Sequence, residues 1–348
     1  MRRPAALFVF LAILSGLAHP ALGQSLKQSL NSVSSEAAGE AIDWPLYGPA
    51  RPGLALGGHT NNLPDIVGPV DGSARLTIFT EGNHFPVLLP LVLEAFPRWC
   101  ADTGRCGVRA EDILVATLPQ TMIVTALTEG GARFGAAYLP LRPDGPVFPD
   151  LVMGGRGPLT ALAAEGLVEP QARIFARHLG LGLLLRREFA GDDLSALAGA
   201  GVRLAIATPQ EAGARRQYEA ALKALAGPSA CARIMARDIG DFAGRLSIQH
   251  RDVPYALLKD YANAGIIFDH LAAFYASTYP DRLRHETVPG AAPFGQVIAV
   301  AKARRASPAG ASDAFLEFLM EAAPDAYERG GFDKAARFDF GGVIALEE

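Results

Sequence analysis

The chain has few of the features that would place it in a familiar catalytic or nucleic-acid-binding class. Among its 348 residues there are only three cysteines and two tryptophans, and no basic run. Without a basic patch, and with 36 acidic against 32 basic side chains, it has none of the electrostatics that phosphate backbones select. Glycine spacings for dinucleotide or nucleoside-triphosphate phosphates are missing; Gly154-Gly-Arg-Gly157 is glycine-rich but wrongly spaced. There is no Gly-x-Ser-x-Gly elbow for a hydrolase, and neither His-Glu-x-x-His nor Cys-x-x-Cys for a metal. Glu111-Asp112 and Asp192-Asp193 read as solvated turns and helix caps rather than acid/base pairs. The chain is therefore expected not to be an enzyme and to need no cofactor.

Long apolar runs are scarce too, and the one at the start is informative. Arg2 and Arg3 precede about fourteen apolar residues, Ala5 to Ala18, and Ala21-Leu-Gly23 supplies small residues where a signal peptidase cuts. His19 and Pro20 interrupt this run, which is shorter than the roughly 20 residues of a membrane span. Residues 1–23 are thus expected to be a signal peptide, cleaved before Gln24, giving a soluble periplasmic protein. Removing Arg2 and Arg3 leaves 30 basic residues against 36 acidic, a net charge of −6. No cysteine follows the signal segment to carry a lipid, and a freely diffusing monomer is expected. Cys100 and Cys106, six apart in a short polar turn, are expected to pair in an oxidising compartment, with Cys231 left over.

Residues 24–74 read as an extended N-terminal segment. Its serine- and alanine-rich start leads into Trp44-Pro-Leu-Tyr-Gly-Pro-Ala-Arg-Pro-Gly53, which cannot hold a regular ladder; Trp44, Tyr47 and Leu54 are expected to dock it on the body. From Arg75 strands alternate with helices. Strands are expected over 75–80, 112–117, 150–153, 179–185, 202–207, 264–268 and 294–302. Helices are expected over 85–96, 121–128, 158–166, 193–198, from after Arg215 to about 226, 255–261, 313–320 and 324–330. Such alternation predicts an α/β protein with parallel-rich mixed sheets.

Ligands of open α/β sheets bind beyond the carboxyl ends of strands, often at helix N-termini. Four such junctions carry polar residues: Thr80-Glu-Gly-Asn-His84, Thr117-Leu-Pro-Gln120, Thr208-Pro-Gln-Glu-Ala-Gly213 and Asp269-His270. A shared cleft lined by Thr80, Glu81, Asn83, His84, Thr117, Gln120, Ala212, Gly213, Asp269 and His270 follows.

Several segments carry a resemblance. Val202 to Leu225, with its Ala-Ile-Ala-Thr-Pro-Gln-Glu-Ala-Gly turn, and Asn263-Ala-Gly-Ile-Ile-Phe268 are similar to segments of molybdate-type periplasmic solute-binding proteins. So are Pro293 to Lys302, Ala311 to Leu319 and Gly330-Gly-Phe332, and Leu76 to Phe96 matches the opening strand and helix in layout. The resemblance spans roughly residues 75–335. It implies a two-lobed periplasmic-binding-protein fold with hinge crossovers, lobe I being 75–181 with 288–348 and lobe II 182–287. It also implies capture of a small inorganic solute and delivery to an ABC permease in the inner membrane.

The family's opening turn offers small hydroxyl residues and N–H groups to an oxyanion, whereas this chain places Glu81 and His84 there. Phe268 replaces the family's tyrosine, and Asp269 and His270 follow it. Carboxylates with imidazoles suit a cation. The preferred reading is therefore a metal ion held by Glu81, His84, Asp269 and His270. An oxyanion such as molybdate or tungstate remains open, with Glu81 and Asp269 turned away or paired to Arg215 or Arg251; an organic solute is the third option. A periplasmic accessory or sensor subunit, with residues 24–74 as a docking arm, is a further alternative.

Overall fold

The structure is a computed structural model. It describes residues 53–54, 66–134, 137–145, 147–245, 247–304 and 310–346. The signal segment, Trp44 and Tyr47 lie outside the described residues, as does the side chain of Leu54.

In chain order the elements begin with β1 (Gly53–Leu54), β2 (Ile66–Val67) and β3 (Leu76–Glu81), then α1 (Phe85–Pro90) and α2 (Phe96–Thr103). Then come β4 (Ile113–Leu118), α3 (Gln120–Thr128), β5 (Gly131–Phe134), β6 (Ala137–Pro140), β7 (Leu151–Gly154), α4 (Arg156–Ala164) and β8 (Val168–Arg177). The middle of the chain holds β9 (Leu181–Arg186), β10 (Leu204–Ala205), α5 (Ala212–Ala226), α6 (Pro228–Met235), α7 (Gln249–Leu258), β11 (Ala264–Phe268), α8 (Asp269–Thr278) and β12 (Leu283–Thr287). β13 (Val297–Ala303), α9 (Gly310–Arg329) and β14 (Val343–Ala345) close it.

Two main sheets result. One has eight strands in the order β1-β2-β4-β3-β7-β13-β8-β14, and the other four in the order β10-β11-β9-β12. Both are mixed. Parallel pairing is confined to β4-β3-β7 and to β10-β11, and every other pair is antiparallel. The parallel strands are buried along their whole length, as strands covered on both faces are. The described part of the expected N-terminal segment adds β1 and β2 to the large sheet, with Ile66 and Val67 buried.

The chain passes between the sheets twice, through residues 178–180 and 288–296. The two passages lie against each other. The His178 N–H donates to the Gln296 carbonyl at 3.0 Å. A Cβ on Gly295 would fall 1.6 Å from the His178 carbonyl oxygen, so no other residue fits there without movement.

Several elements differ from the sequence reading. β8 was not expected: its sequence, VEPQARIFAR, is largely polar and alternates in burial only in part. β12 was missed because LRHET is a polar edge strand. The expected strand over 179–185 starts at Leu181, after Gly180 with φ +91. α6 was not expected, and the helix placed at 255–261 begins at Gln249. The helix placed at 193–198 is a single turn, Ala196–Ala198. The two closing helices are one, α9, with Pro324 inside it. α1 and α2 are joined by a π turn, Leu91–Ala95, directly after Pro90, whose missing N–H breaks the regular ladder. Cys100 and Cys106 form a disulfide, and Cys231 is free and buried. No helix among the described residues is long and apolar enough to cross a membrane.

Candidate functional site

A cleft of about 450 Å3 is lined from both sheets. The eight-stranded sheet brings the end of β3, the β4–α3 and β7–α4 junctions and the start of β13 to it; the four-stranded sheet brings the β10–α5 junction and the end of β11. His178, on the first passage between the sheets, lies in its wall.

Three helices begin at this cleft. α3 and α4 open on Pro119 and Gly155, neither of which caps its helix with a side-chain hydrogen bond, and α5 follows directly on the turn Pro209–Glu211, which the Thr208 hydroxyl caps by accepting the Glu211 N–H at 3.4 Å. Their first-turn residues, Gln120 and Thr121, Gly157, and Ala212 and Gly213, face the cleft. First-turn N–H groups and the positive end of the helix dipole make each terminus a site for negative charge. Arg216, one turn into α5, also lines the cleft, and among the described residues it has no ion pair.

Two buried carboxyl groups stand in the walls, in opposite surroundings. Glu81, at the end of β3, accepts from His178 Nε2 at 2.8 Å, from Gln120 Nε2 at 2.7 Å and from Asn83 Nδ2 at 3.1 Å. Burial pushes its carboxyl up. The charge and hydrogen bond of His178, aided by His84 and Gln120, more than offset this and hold it well below the usual carboxylate range. Glu211 accepts the Gln249 N–H on Oε1 at 2.9 Å, while its Oε2 is buried with no partner. Burial and the nearby Asp252 push Glu211 up to about 8, against the opposing pull of the Gln249 and Thr208 N–H groups and of Arg245. At neutral pH Glu81 is a carboxylate and Glu211 a carboxylic acid.

Amide side chains fill much of the remaining wall. Gln120 bridges Glu81 and the Gly155 N–H, which it accepts at 3.1 Å. Gln249 accepts the Tyr218 hydroxyl at 2.7 Å, and Gln217 donates to the Phe294 carbonyl. Phe268 supplies an apolar plate, stacked on the His178 ring at 4.3 Å.

Of the residues expected from sequence, Glu81, Asn83, Gln120, Ala212 and Gly213 line this cleft. Thr80, His84, Thr117, Asp269 and His270 are buried but are not in its wall. Thr80 donates to the Glu81 carbonyl at 3.2 Å. His84 is bonded at both ring nitrogens, to Thr80 Oγ1 at 2.5 Å and Tyr327 Oη at 2.6 Å. Burial pushes it down to about 4, which leaves it neutral. His270 donates from Nε2 to the Asn83 carbonyl at 2.7 Å and is held well below the usual histidine range, by burial and then by His178.

The four residues read as metal ligands are therefore not assembled as one site. Asp269 faces β9 and β12, where it accepts from His285 Nε2 at 2.8 Å, while Glu81 is spent on His178. Among the described residues no group of three or more His, Cys, Asp or Glu is placed to hold a metal. Nor does Arg215 pair with the cleft acids; it pairs with Asp238 and Glu219. The sequence reading missed His178, Arg216, Gln217, Gln249 and Gln296 as wall residues. His178 had one visible signal, a lone imidazole in the apolar stretch from Ile174 to Leu185.

Residues 144–333 match the family model described as bacterial extracellular solute-binding protein. The chain belongs to that family. No curated protein matches it in sequence. Among solved structures it is similar to the sulfate-binding protein SubI of Mycobacterium tuberculosis, at 14% identity and TM-score 0.53 over 78% of this chain and 92% of that one. It is also similar to the periplasmic molybdate-binding protein of Azotobacter vinelandii, at 14% identity and TM-score 0.52 over 74% and 99%. Peb3 of Campylobacter jejuni, in its L-phospholactate-bound form, matches at 13% identity and TM-score 0.50 over 74% and 99%. At such identities the likeness is one of fold, that of two-lobed periplasmic binding proteins.

Proposed function

We propose that this solute-binding protein captures a small anion in the cleft between its two sheets and delivers it, in the periplasm, to an ABC permease of the inner membrane. The observation that carries this reading is the convergence of three helix N-termini, those of α3, α4 and α5, on one cleft, with Arg216 beside them. Each terminus supplies N–H donors and a partial positive charge. Glu81 is engaged by His178, Gln120 and Asn83, so it does not face the cleft as a bare carboxylate. A cation would meet three positive helix ends and Arg216, with Glu81 already paired.

The test is a thermal-shift panel on ligand-stripped protein, setting sulfate, phosphate, molybdate and small carboxylates against zinc, calcium and lanthanum. A ligand at about 100 times its dissociation constant adds about 2.7 kcal/mol of stability, a shift of several degrees at most. At least one anion is expected to give such a shift, and Arg216→Glu to weaken it tenfold or more. A shift with cations alone would overturn the proposal.

A further inference from the structure

We infer that the cleft selects a small organic anion that also carries a hydrogen-bond donor, a hydroxy- or amino-carboxylate, in preference to a bare inorganic oxyanion. This rests on the anion reading above and deepens it.

Size is the first ground. The cleft holds about 450 Å3, within the roughly 300–1,000 Å3 of sites for organic ligands, whereas one water takes about 30 Å3 of liquid. A five-atom oxyanion would leave most of that space to solvent.

The second ground is that the two walls ask for opposite partners. On the wall from the four-stranded sheet, Glu211 is more than nine-tenths buried and its Oε2 has no partner. An unsatisfied buried oxygen is costly in an empty site and is satisfied when a ligand arrives. Glu211 lines the cleft beside the N-terminus of α5, and a turn of its carboxyl about χ3 brings the protonated oxygen toward an anion held there. On the wall from the eight-stranded sheet, Glu81 is an acceptor. A carboxylate has about four lone-pair sites, and His178, Gln120 and Asn83 take three of them. The site left over suits a hydroxyl or ammonium group. Sulfate or molybdate has no hydrogen to offer and would set its lone pairs against those of a buried carboxylate.

The third ground is the set of fixed amides. Gln120, Gln217 and Gln249 are each oriented by at least one hydrogen bond to the protein. Each keeps N–H or carbonyl capacity, the mixed donor and acceptor surface that an oxygen-rich organic solute matches.

Calorimetric titration at about pH 7 with matched pairs tests this: L-malate against succinate, L-lactate against propionate, and L-aspartate against succinate, with sulfate and molybdate as the inorganic arm. In at least one pair the member with the hydroxyl or amino group is expected to bind tenfold or more tightly than its partner, and more tightly than every inorganic oxyanion. Glu81→Gln is expected to narrow that ratio, and Glu211→Leu to weaken both members together. Since the matched pairs are read on the native protein, a variant that fails to fold does not remove the test. Binding of inorganic oxyanions alone, or equal binding within every pair, would overturn the inference and leave the anion reading standing. Binding of none of these anions would overturn both.

Discussion

Glu81 and Glu211 face one cleft from opposite walls, each less than a tenth exposed, yet one is ionised and the other is not. Burial pushes both carboxyls toward the neutral form. Their partners decide the difference. Glu81 lies against an imidazole and two amide donors. Glu211 has backbone N–H donors and the Asp252 carboxylate nearby, and the opposing pull of Arg245 is the smallest of its influences. The same residue type at the same depth thus becomes an acceptor in one wall and a donor in the other. A cleft built in this way can hold the two ends of a solute differently.

Removing one member of the Glu81–His178 contact breaks the comparison most sharply. His178→Ala leaves Glu81 buried without its imidazole, and breaking a buried pair from one side costs about 3–5 kcal/mol. Urea unfolding of the variant should show a loss of that size. The Glu81→Gln/His178→Ala double variant should lose less than His178→Ala alone, because no unpaired charge remains. Simple additivity of the two single changes would mean that Glu81 and His178 do not act as a pair.

The neutral acid is probed by pH. Glu211 titrates at about 8 in the folded protein against 4.5 ordinarily, so the folded state binds its proton more tightly. Its burial costs nothing below about pH 4.5, costs more as pH rises toward 8, and then levels off. Glu211→Gln should therefore gain stability relative to the native protein across that window, by up to about 1.4 kcal/mol per pH unit. The groups facing Glu211 are Asp252 of α7, Arg245 of the loop before it and Tyr218 of α5. Burial pushes the Tyr218 hydroxyl well above its usual range, so it stays neutral across the window. His84 and His270, held neutral by burial, cost stability as pH falls below about 6.5 in both proteins and cancel in the difference. A stability difference that stays flat from pH 5 to 8 would contradict the assignment.

Much of the frame was legible in the sequence because strands and their ends announce themselves. Buried parallel strands such as Ile113–Leu118 and Ala264–Phe268 are unbroken apolar runs, and polar residues after them mark ligand-facing junctions. Of the residues that logic named, Glu81, Asn83, Gln120, Ala212 and Gly213 line the cleft. It failed where direction mattered. A strand end fixes where a residue sits but not which way its side chain turns. Thr80 and His84 turn toward Tyr327, and Asp269 toward β9 and His285. The metal reading rested on treating all four acid and imidazole side chains as convergent. His178 was illegible because β8, which delivers it, looks too polar for a strand and contains Pro170. The state of Glu211 was illegible because Asp252, 41 positions along the chain, becomes its neighbour only in the fold.

The claim that two buried carboxyls in one cleft hold opposite protonation states is tested most directly by carbonyl-stretch infrared difference spectra, taken as the pH is raised from about 6 to about 9.5. A protonated-carboxyl band that fades over this range, persists in Glu81→Gln and is absent from Glu211→Gln is the predicted result. A spectrum with no such band, or a band lost with Glu81→Gln and retained with Glu211→Gln, would contradict it.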